Sequence, residues 1–229
     1  MVGTLYLVAT PIGNLDDITF RALSVLKSVD LVLYEERREG ERLLRHFKIE
    51  KPVESLNEHN EAASSYNILD HLKSGKSVAL VSDCGTPVFS DPGQLLVRKA
   101  IEQKIRIIPI PGASSLMPAL TVSGFPIDQF VFYGMPSPKK ERRRAELRQL
   151  MEEKRTIVLM DAPYRLVQVM RDLADTFGSA RRVCVAFNIT MPDEQMFYGT
   201  AVELYKKFEA KPMKGEFVIV IEGRGRERE

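Results

Sequence analysis

Four short apolar runs punctuate the first half of the chain: TLYLVA (4–9), LVLY (31–34), SVALVS (77–82) and IRIIPIPG (105–112). Each is far shorter than the roughly 18 uninterrupted apolar residues of a membrane span, so each reads as a strand, with SVALVS the candidate for a buried one. The segments between them have helical periodicity. After the first run, Ile18, Ala22, Val25, Leu26 and Val29 fall on one helical face, with Asp16 and Asp17 placed to favour its N-terminus. Further helices are read through Leu43, Leu44 and Phe47 and from Ala62 to Leu72. Strands separated by helices select the α/β class, with a largely parallel sheet.

The second half repeats the alternation less regularly. A charged helix (139–152), the strand TIVLM (156–160), a helix over 162–177 and the strand RVCVAFN (182–188) are followed by EQMFYGTA. A helix near 201–208 and the strand EFVIVIEG (216–223) close the pattern, and the tail RGRERE reads as frayed. Strand candidates here lie next to one another without a helix between them, which predicts a mixed sheet. The stretch 126–138, rich in Pro, Gly and aromatic residues, reads as the connection into a second domain. A chain of 229 residues is comfortable for two small domains, here 1–117 and 118–229.

Composition narrows the class further. With 44% hydrophobic and 28% charged residues, the chain can bury a core without metal or disulfide staples. The N-terminal MVGTLYLVATPIGN has no basic stretch ahead of its apolar run and reads as a first strand, not a signal peptide. Cys84 and Cys184 match no metal-ligand spacing and sit in or beside apolar runs, as buried free thiols do. His46, His59 and His71 do not cluster, so no metal site is expected. These features predict a reduced, cytoplasmic protein without a membrane segment. The net charge of +2 is uninformative, but two basic groups stand out: Arg37, Arg38, Arg42, Arg45 and Lys48, and Lys139, Lys140, Arg142, Arg143 and Arg144. Glutamates are interleaved in both, so each is either a solvated helix face or an RNA contact.

Three loops have the composition of ligand sites, each directly after an apolar strand, where open α/β sheets bind ligands. TPIGN (10–14) lets the backbone turn sharply. SDCGTPVFSDPG (82–93) combines two aspartates, two prolines and two glycines. Within it, Asp91 followed by Pro92 reads as a helix cap. Asp83, Gly85, Thr86 and Pro87 lie too far upstream for capping and read as ligand contacts. PIPGASSL (109–116) passes from a strand into a helix through Gly112, Ala113, Ser114 and Ser115, which offers free N–H donors as well as an N-cap. Neither a dinucleotide GxGxxG nor a GxxxxGK[ST] phosphate loop is present.

Taken in order, LYLVATPIGNLDDIT, EERR, RLLRHFKI, EHNE, SDCGTPVFSDPG, PGASS, SGFP and KGE make the chain similar to the ribosomal RNA small subunit methyltransferase I family. That family lies within the tetrapyrrole (corrin/porphyrin) methylase superfamily, and the resemblance spans nearly the whole chain. It implies a two-domain α/β homodimer with S-adenosyl-L-methionine in the cleft between domains. The N-terminal domain would supply the substrate side and part of the cofactor cleft, and the C-terminal domain the cofactor and dimer side. By position in the motifs, Pro11, Ile12, Asp83, Thr86, Ser114 and Ser115 would contact the cofactor, and Met160, Ala186 and Glu216 would close over its adenosine. The implied reaction is methyl transfer to a cytidine ribose 2'-hydroxyl in the rRNA of the small ribosomal subunit, with Glu35 and Arg38 as the catalytic candidates.

The departures concern the substrate side. The family's EDTR reads Glu35-Glu36-Arg37-Arg38, its SDAGTP reads SDCGTP, and its ESPHR-like block reads Asp161-Ala162-Pro163-Tyr164-Arg165. Its REltK block reads Phe187-Asn188-Ile189-Thr190-Met191, which loses an Arg, a Glu and a Lys. Phe187 continues the strand RVCVAF, so core packing outweighs base stacking as its fate. The alternatives are a divergent paralogue acting on another RNA or a small molecule, and a protein that binds the cofactor without catalysis.

Overall fold

A computed structural model describes residues 2–225, so Met1 and the end of the expected frayed tail (226–229) lie outside the described residues. Contacts divide the chain after Ser114 into two units.

The first unit is a five-stranded sheet in the order β3-β2-β4-β1-β5, parallel as expected, with an edge strand, β3, that none of the four apolar runs marked. The strands are β1 (Thr4–Val8), β2 (Leu31–Tyr34), β3 (Val53–Ser55), β4 (Val78–Val81) and β5 (Arg106–Ile110). The helices between them are α1 (Phe20–Ser28), α2 (Arg37–His46), α3 (Glu61–Lys73) and α4 (Gln94–Glu102). Both faces of the sheet are covered, which is why its central strands are continuous apolar runs. Leu5, Leu31, Leu33 and Leu80 pack with Ile68, Leu72 and Leu96 on one face. Val32, Tyr34, Ala79 and Val81 pack with Ala22, Leu26 and Leu44 on the other. Asp16 and Asp17 do not begin α1, contrary to the sequence reading. They form a short 3-10 turn, and the Thr19 side chain caps the helix by accepting from the Ala22 amide at 3.0 Å.

The order of strands creates a switch point. From β1 the chain crosses past β4 to β2 and β3, whereas from β4 it returns across β1 to β5. The chain leaving the adjacent strands β1 and β4 therefore departs in opposite directions, the topology at whose carboxyl ends open α/β sheets bind ligands.

The second unit carries a mixed sheet in the order β6-β7-β10-β8-β9. It comprises β6 (Phe130–Gly134), β7 (Thr156–Met160), β8 (Arg182–Phe187), β9 (Gln195–Thr200) and β10 (Phe217–Ile221). The helices are α5 (Leu116–Ser123), α6 (Lys140–Gln149), α7 (Leu166–Phe177) and α8 (Ala201–Ala210). β6 runs parallel to β7 and the remaining pairs are antiparallel. The stretch 126–138 is therefore not a mere connection, because FVFYG within it is an edge strand. Flanking prolines at 126 and 136 and the lack of alternation hid it. Residues 162–165 form a turn ahead of α7, not its first turn. Ile157, Leu159, Val185, Phe187, Ile219 and Ile221 pack under Leu147, Leu173, Leu204 and Phe208, while α5 lies on β8 and β10. Cys184 is buried and its thiol is pushed up to about 11 by desolvation, whereas Cys84 is exposed, against the expectation of two buried thiols.

Candidate active site

At the switch point the expected ligand loops are tied together by backbone. The Thr10 amide donates to the Gly85 carbonyl at 2.8 Å and its hydroxyl to the Ser82 carbonyl at 2.8 Å. The Ala9 amide donates to the Ile110 carbonyl at 3.1 Å, and the Thr86 hydroxyl reaches the Ala113 carbonyl at 3.4 Å. Packing at two glycines is close. A Cβ on Gly112 would sit 3.0 Å from that of Ala9, and one on Gly85 would sit 3.1 Å from Ile12 at a backbone φ of +92°. Thus TPIGN, SDCGTP and PGASS are brought to one end of the first sheet. Pro11 and Ile12 are buried, Thr86 is exposed and Ser114 is half-buried.

The loop from Ser82 to Gly93 is strained. Val88 has φ +71° and Ser90 φ +67°, and a β-branched residue in the left-handed region is uncommon. Such strain persists where surrounding structure enforces it, and it clusters at functional sites.

Carboxylates crowd the same end. Glu35 directly follows β2, and the next amide, that of Glu36, donates to both oxygens of Asp83 at 3.2 and 3.1 Å. Asp83 is thus a brace between two strand ends, with lone pairs left for a further donor. Burial raises the Glu35 carboxyl above its usual range, reinforced by Asp91, Asp83, Glu36 and Glu58. Burial likewise raises Asp83; the Glu36 amide opposes this, while Glu36, Asp91 and Glu39 add to it. Arg38 stands exposed in the first turn of α2, whose own ion pairs are Arg37–Glu41 at 2.5 Å and Arg42–Glu39 at 3.3 Å.

Asp91 is not the helix cap that its sequence position suggests. Gly93, at φ +121°, is the N-cap of α4, and Glu61 accepts from the Gly93 and Leu95 amides at 2.9 and 2.8 Å. Asp91 turns inward with Oδ2 buried and without a hydrogen bond; burial raises its carboxyl, opposed by a hydrogen bond from Ser82. A capping carboxylate from 32 residues upstream has no local signature, so a sequence pattern assigns the role to the nearer acid.

In the second unit, Val218 pairs with Met160 on one side and Ala186 on the other, so the three occupy one row of the sheet. Glu216 immediately precedes β10, and its carbonyl accepts from the Asn188 amide at 2.8 Å. Met160, Ala186 and Glu216 thus lie at the same end of this sheet. Ser115 precedes α5 as its N-cap residue without a side-chain capping bond. Phe187 is core, 1% exposed and edge-on to Phe197, as its place in the strand predicts. Beyond it, Asn188 (φ +48°) and Thr190 (φ +70°) form a second strained loop. The Asn188 side-chain Nδ2 donates to Asp193 at 2.8 Å, and its buried Oδ1 has no hydrogen-bond partner.

The two basic groups differ. The first lies along exposed positions of α2 and beyond it, and the second is partly structural. Arg143 is fully buried, paired with Asp172 at 2.6 Å, and Arg144 bridges Asp172 and Asp175 at 2.8 and 2.5 Å. Among the described residues, no group of His, Cys, Asp and Glu could hold a metal ion, and no helix is long and apolar enough to cross a membrane.

Comparison with known proteins identifies the family. Residues 4–205 match the family of tetrapyrrole (corrin/porphyrin) methylases. A relative from Synechocystis sp., named ribosomal RNA small subunit methyltransferase I, is 45% identical over 97% of this chain and 80% of its own. Relatives of the same name from Bacillus subtilis and Thermotoga maritima are 39% and 42% identical, covering 99% and 97% of this chain and 77% and 100% of theirs. Among solved structures, a cobalt precorrin-4 methyltransferase superposes with a TM-score of 0.68 at 21% identity, covering 96% of this chain and 94% of its own. A uroporphyrin-III C-methyltransferase from Thermus thermophilus gives 0.64 at 18%, covering 97% and 93%. At those identities the likeness concerns the fold. Matched across nearly its whole length, the chain belongs to the tetrapyrrole methylase family and, within it, to the ribosomal RNA small subunit methyltransferase I group of methyltransferases.

Proposed function

We propose that this enzyme uses S-adenosyl-L-methionine to methylate a ribose 2'-hydroxyl, that of a cytidine in the rRNA of the small ribosomal subunit. The observation that carries the reading is the joining of TPIGN, SDCGTP and PGASS at the switch point of the first sheet. The relatives' name supplies the substrate class.

The residues fit such a cofactor. Small side chains at Gly85 and Gly112 let backbone come near a ligand, and the half-buried Asp83 is an acceptor for ribose hydroxyls or an amine. Pro11, Ile12, Thr86 and Ser114 are the further contacts proposed in the first unit, and Ser115, Met160, Ala186 and Glu216 those proposed in the second. The cofactor supplies an electrophilic methyl group on a sulfonium. The protein's part is to align the acceptor oxygen and exclude water, which can remove several kcal/mol of barrier. A ribose hydroxyl is a weak acid, so a base helps. Glu35, its proton affinity raised by burial and neighbouring acids, is proposed to take the hydroxyl proton, and Arg38 to hold a phosphate or stabilise the developing oxyanion. We further propose that the enzyme works as a cytoplasmic homodimer, on the strength of the family likeness.

The test is incubation with methyl-labelled cofactor and small subunits from a strain lacking the modification. Label in one cytidine ribose is the expected result; cofactor binding without transfer to any RNA would assign the protein to a non-catalytic role.

A further inference from the structure

One surface of the second unit is held more firmly than its exposure requires. The loop 135–138 after β6 and the turn 161–165 after β7 leave the same end of two parallel strands. The Ser137 carbonyl accepts from both Arg143 and Arg165, at 3.1 and 3.0 Å, and its amide donates to Glu146 at 2.8 Å. Arg143 and Arg165 are in turn fixed by acids with side chains 2% exposed, Asp172 and Asp161, at 2.6 and 2.9 Å. The Arg165 amide closes the turn on the Ala162 carbonyl at 2.8 Å. Buried ion pairs contribute less to stability than to fixing one conformation. Asp161 makes the point, because its Oδ2 is buried without a hydrogen bond.

What this clamp fixes is exposed. Tyr164 is 74% exposed and Met135 is 61% exposed, the large apolar side chains of the two clamped segments. Lys139 and Lys140, two and three residues beyond Ser137, are exposed at the N-terminus of α6, and no ion pair involves them among the described residues. An exposed aromatic side chain on one clamped segment and paired cations just beyond the other are the residue types that stack an unpaired base and grip its neighbouring phosphates, and such stacking tolerates any base.

We propose that Tyr164, with Met135 on the other clamped segment, is a stacking platform for an unpaired nucleotide of the RNA acceptor, with Lys139 and Lys140 taking the adjacent phosphates. The inference rests on the RNA-methylation reading above and adds a contact surface to it.

The test compares wild type, Tyr164→Ala, Tyr164→Phe and the Lys139→Gln/Lys140→Gln pair on small ribosomal subunits. Methyl transfer, filter binding over a salt series and cofactor calorimetry are the readouts. Tyr164→Ala should raise KM for subunits about tenfold, leave kcat and cofactor affinity near wild type, and leave the salt slope unchanged; Tyr164→Phe should behave as wild type. The lysine pair should instead flatten the salt slope by about 1–2. A wild-type KM for a folded Tyr164→Ala, in an enzyme that transfers methyl normally, overturns the platform and leaves the methylation reading intact. A change in oligomeric state by light scattering, with subunit affinity unaltered, also overturns it by making the surface a contact between copies. Wild-type protein that neither binds nor methylates subunits overturns both readings.

Discussion

Carboxylates keep different company in the two units: guanidinium groups at Asp161 and Asp172 in the second, other acids at Glu35 and Asp83 in the first. In the second unit Asp172 is buried but held by two guanidinium groups, and at Asp161, whose carboxyl burial raises, the Ala162 amide, Arg165 and Arg143 oppose the shift. In the first unit Glu35, Asp83 and Asp91 gather with one another, and the carboxyls of all three are raised by burial, with mutual repulsion adding to it at Glu35 and Asp83. Paired buried charge fixes a conformation. Crowded carboxylates work against folding, and such a cluster makes this end of the first sheet a candidate site for chemistry.

That contrast can be broken most sharply at its structural pole. Arg143→Ala should cost about 3–5 kcal/mol in urea unfolding, because it leaves Asp172 buried with only Arg144 as partner. At the other pole, Glu35→Gln should lower kcat by about 10²–10⁴-fold while leaving stability equal or higher, since it removes a carboxylate the fold disfavours. The wild-type rate should fall on acidification at a pH above the ordinary glutamate range. If Glu35→Gln unfolds the protein as Arg143→Ala does, the contrast fails.

A smaller effect separates the two basic groups. Replacing Arg42 and Arg45 with Gln should flatten the salt dependence of RNA binding by about 2 and spare cofactor binding, if α2 grips phosphates. An unchanged slope returns α2 to a solvated face. The smallest effect concerns Asp91. Its folded carboxyl is raised, so the native state holds the proton more tightly than the unfolded chain, and ionisation weakens the fold as pH rises above the ordinary aspartate range. Asp91→Asn should therefore stabilise at pH 7 by on the order of 0.5 kcal/mol, a gain that disappears as the pH falls towards about 4. A loss of stability at pH 7 would make Asp91 a brace instead.

The sequence was most legible where structure is local and periodic. The strands β1, β2, β4 and β5 follow from short apolar runs, and the loops after β1, β4 and β5 from the Gly and Pro that end them. It was least legible where partners are remote. Glu61 caps a helix more than 30 residues away, and Arg143 finds Asp172 across 29 residues, so a residue in a charged helical stretch turns out to be core. β6 was hidden for another reason: an edge strand between prolines carries no alternation. At the site, composition marked Asp83 for ligand contact but could not show that its two oxygens brace the Glu36 amide.

Calorimetric titration of S-adenosyl-L-methionine into wild type and Asp83→Ala tests the central claim most directly. The account predicts binding to wild type and a loss of about 1–3 kcal/mol in the variant, the scale of one hydrogen bond to a charged group. An unchanged dissociation constant in a folded Asp83→Ala would contradict it and remove the carboxyl end of the first sheet from the cofactor site.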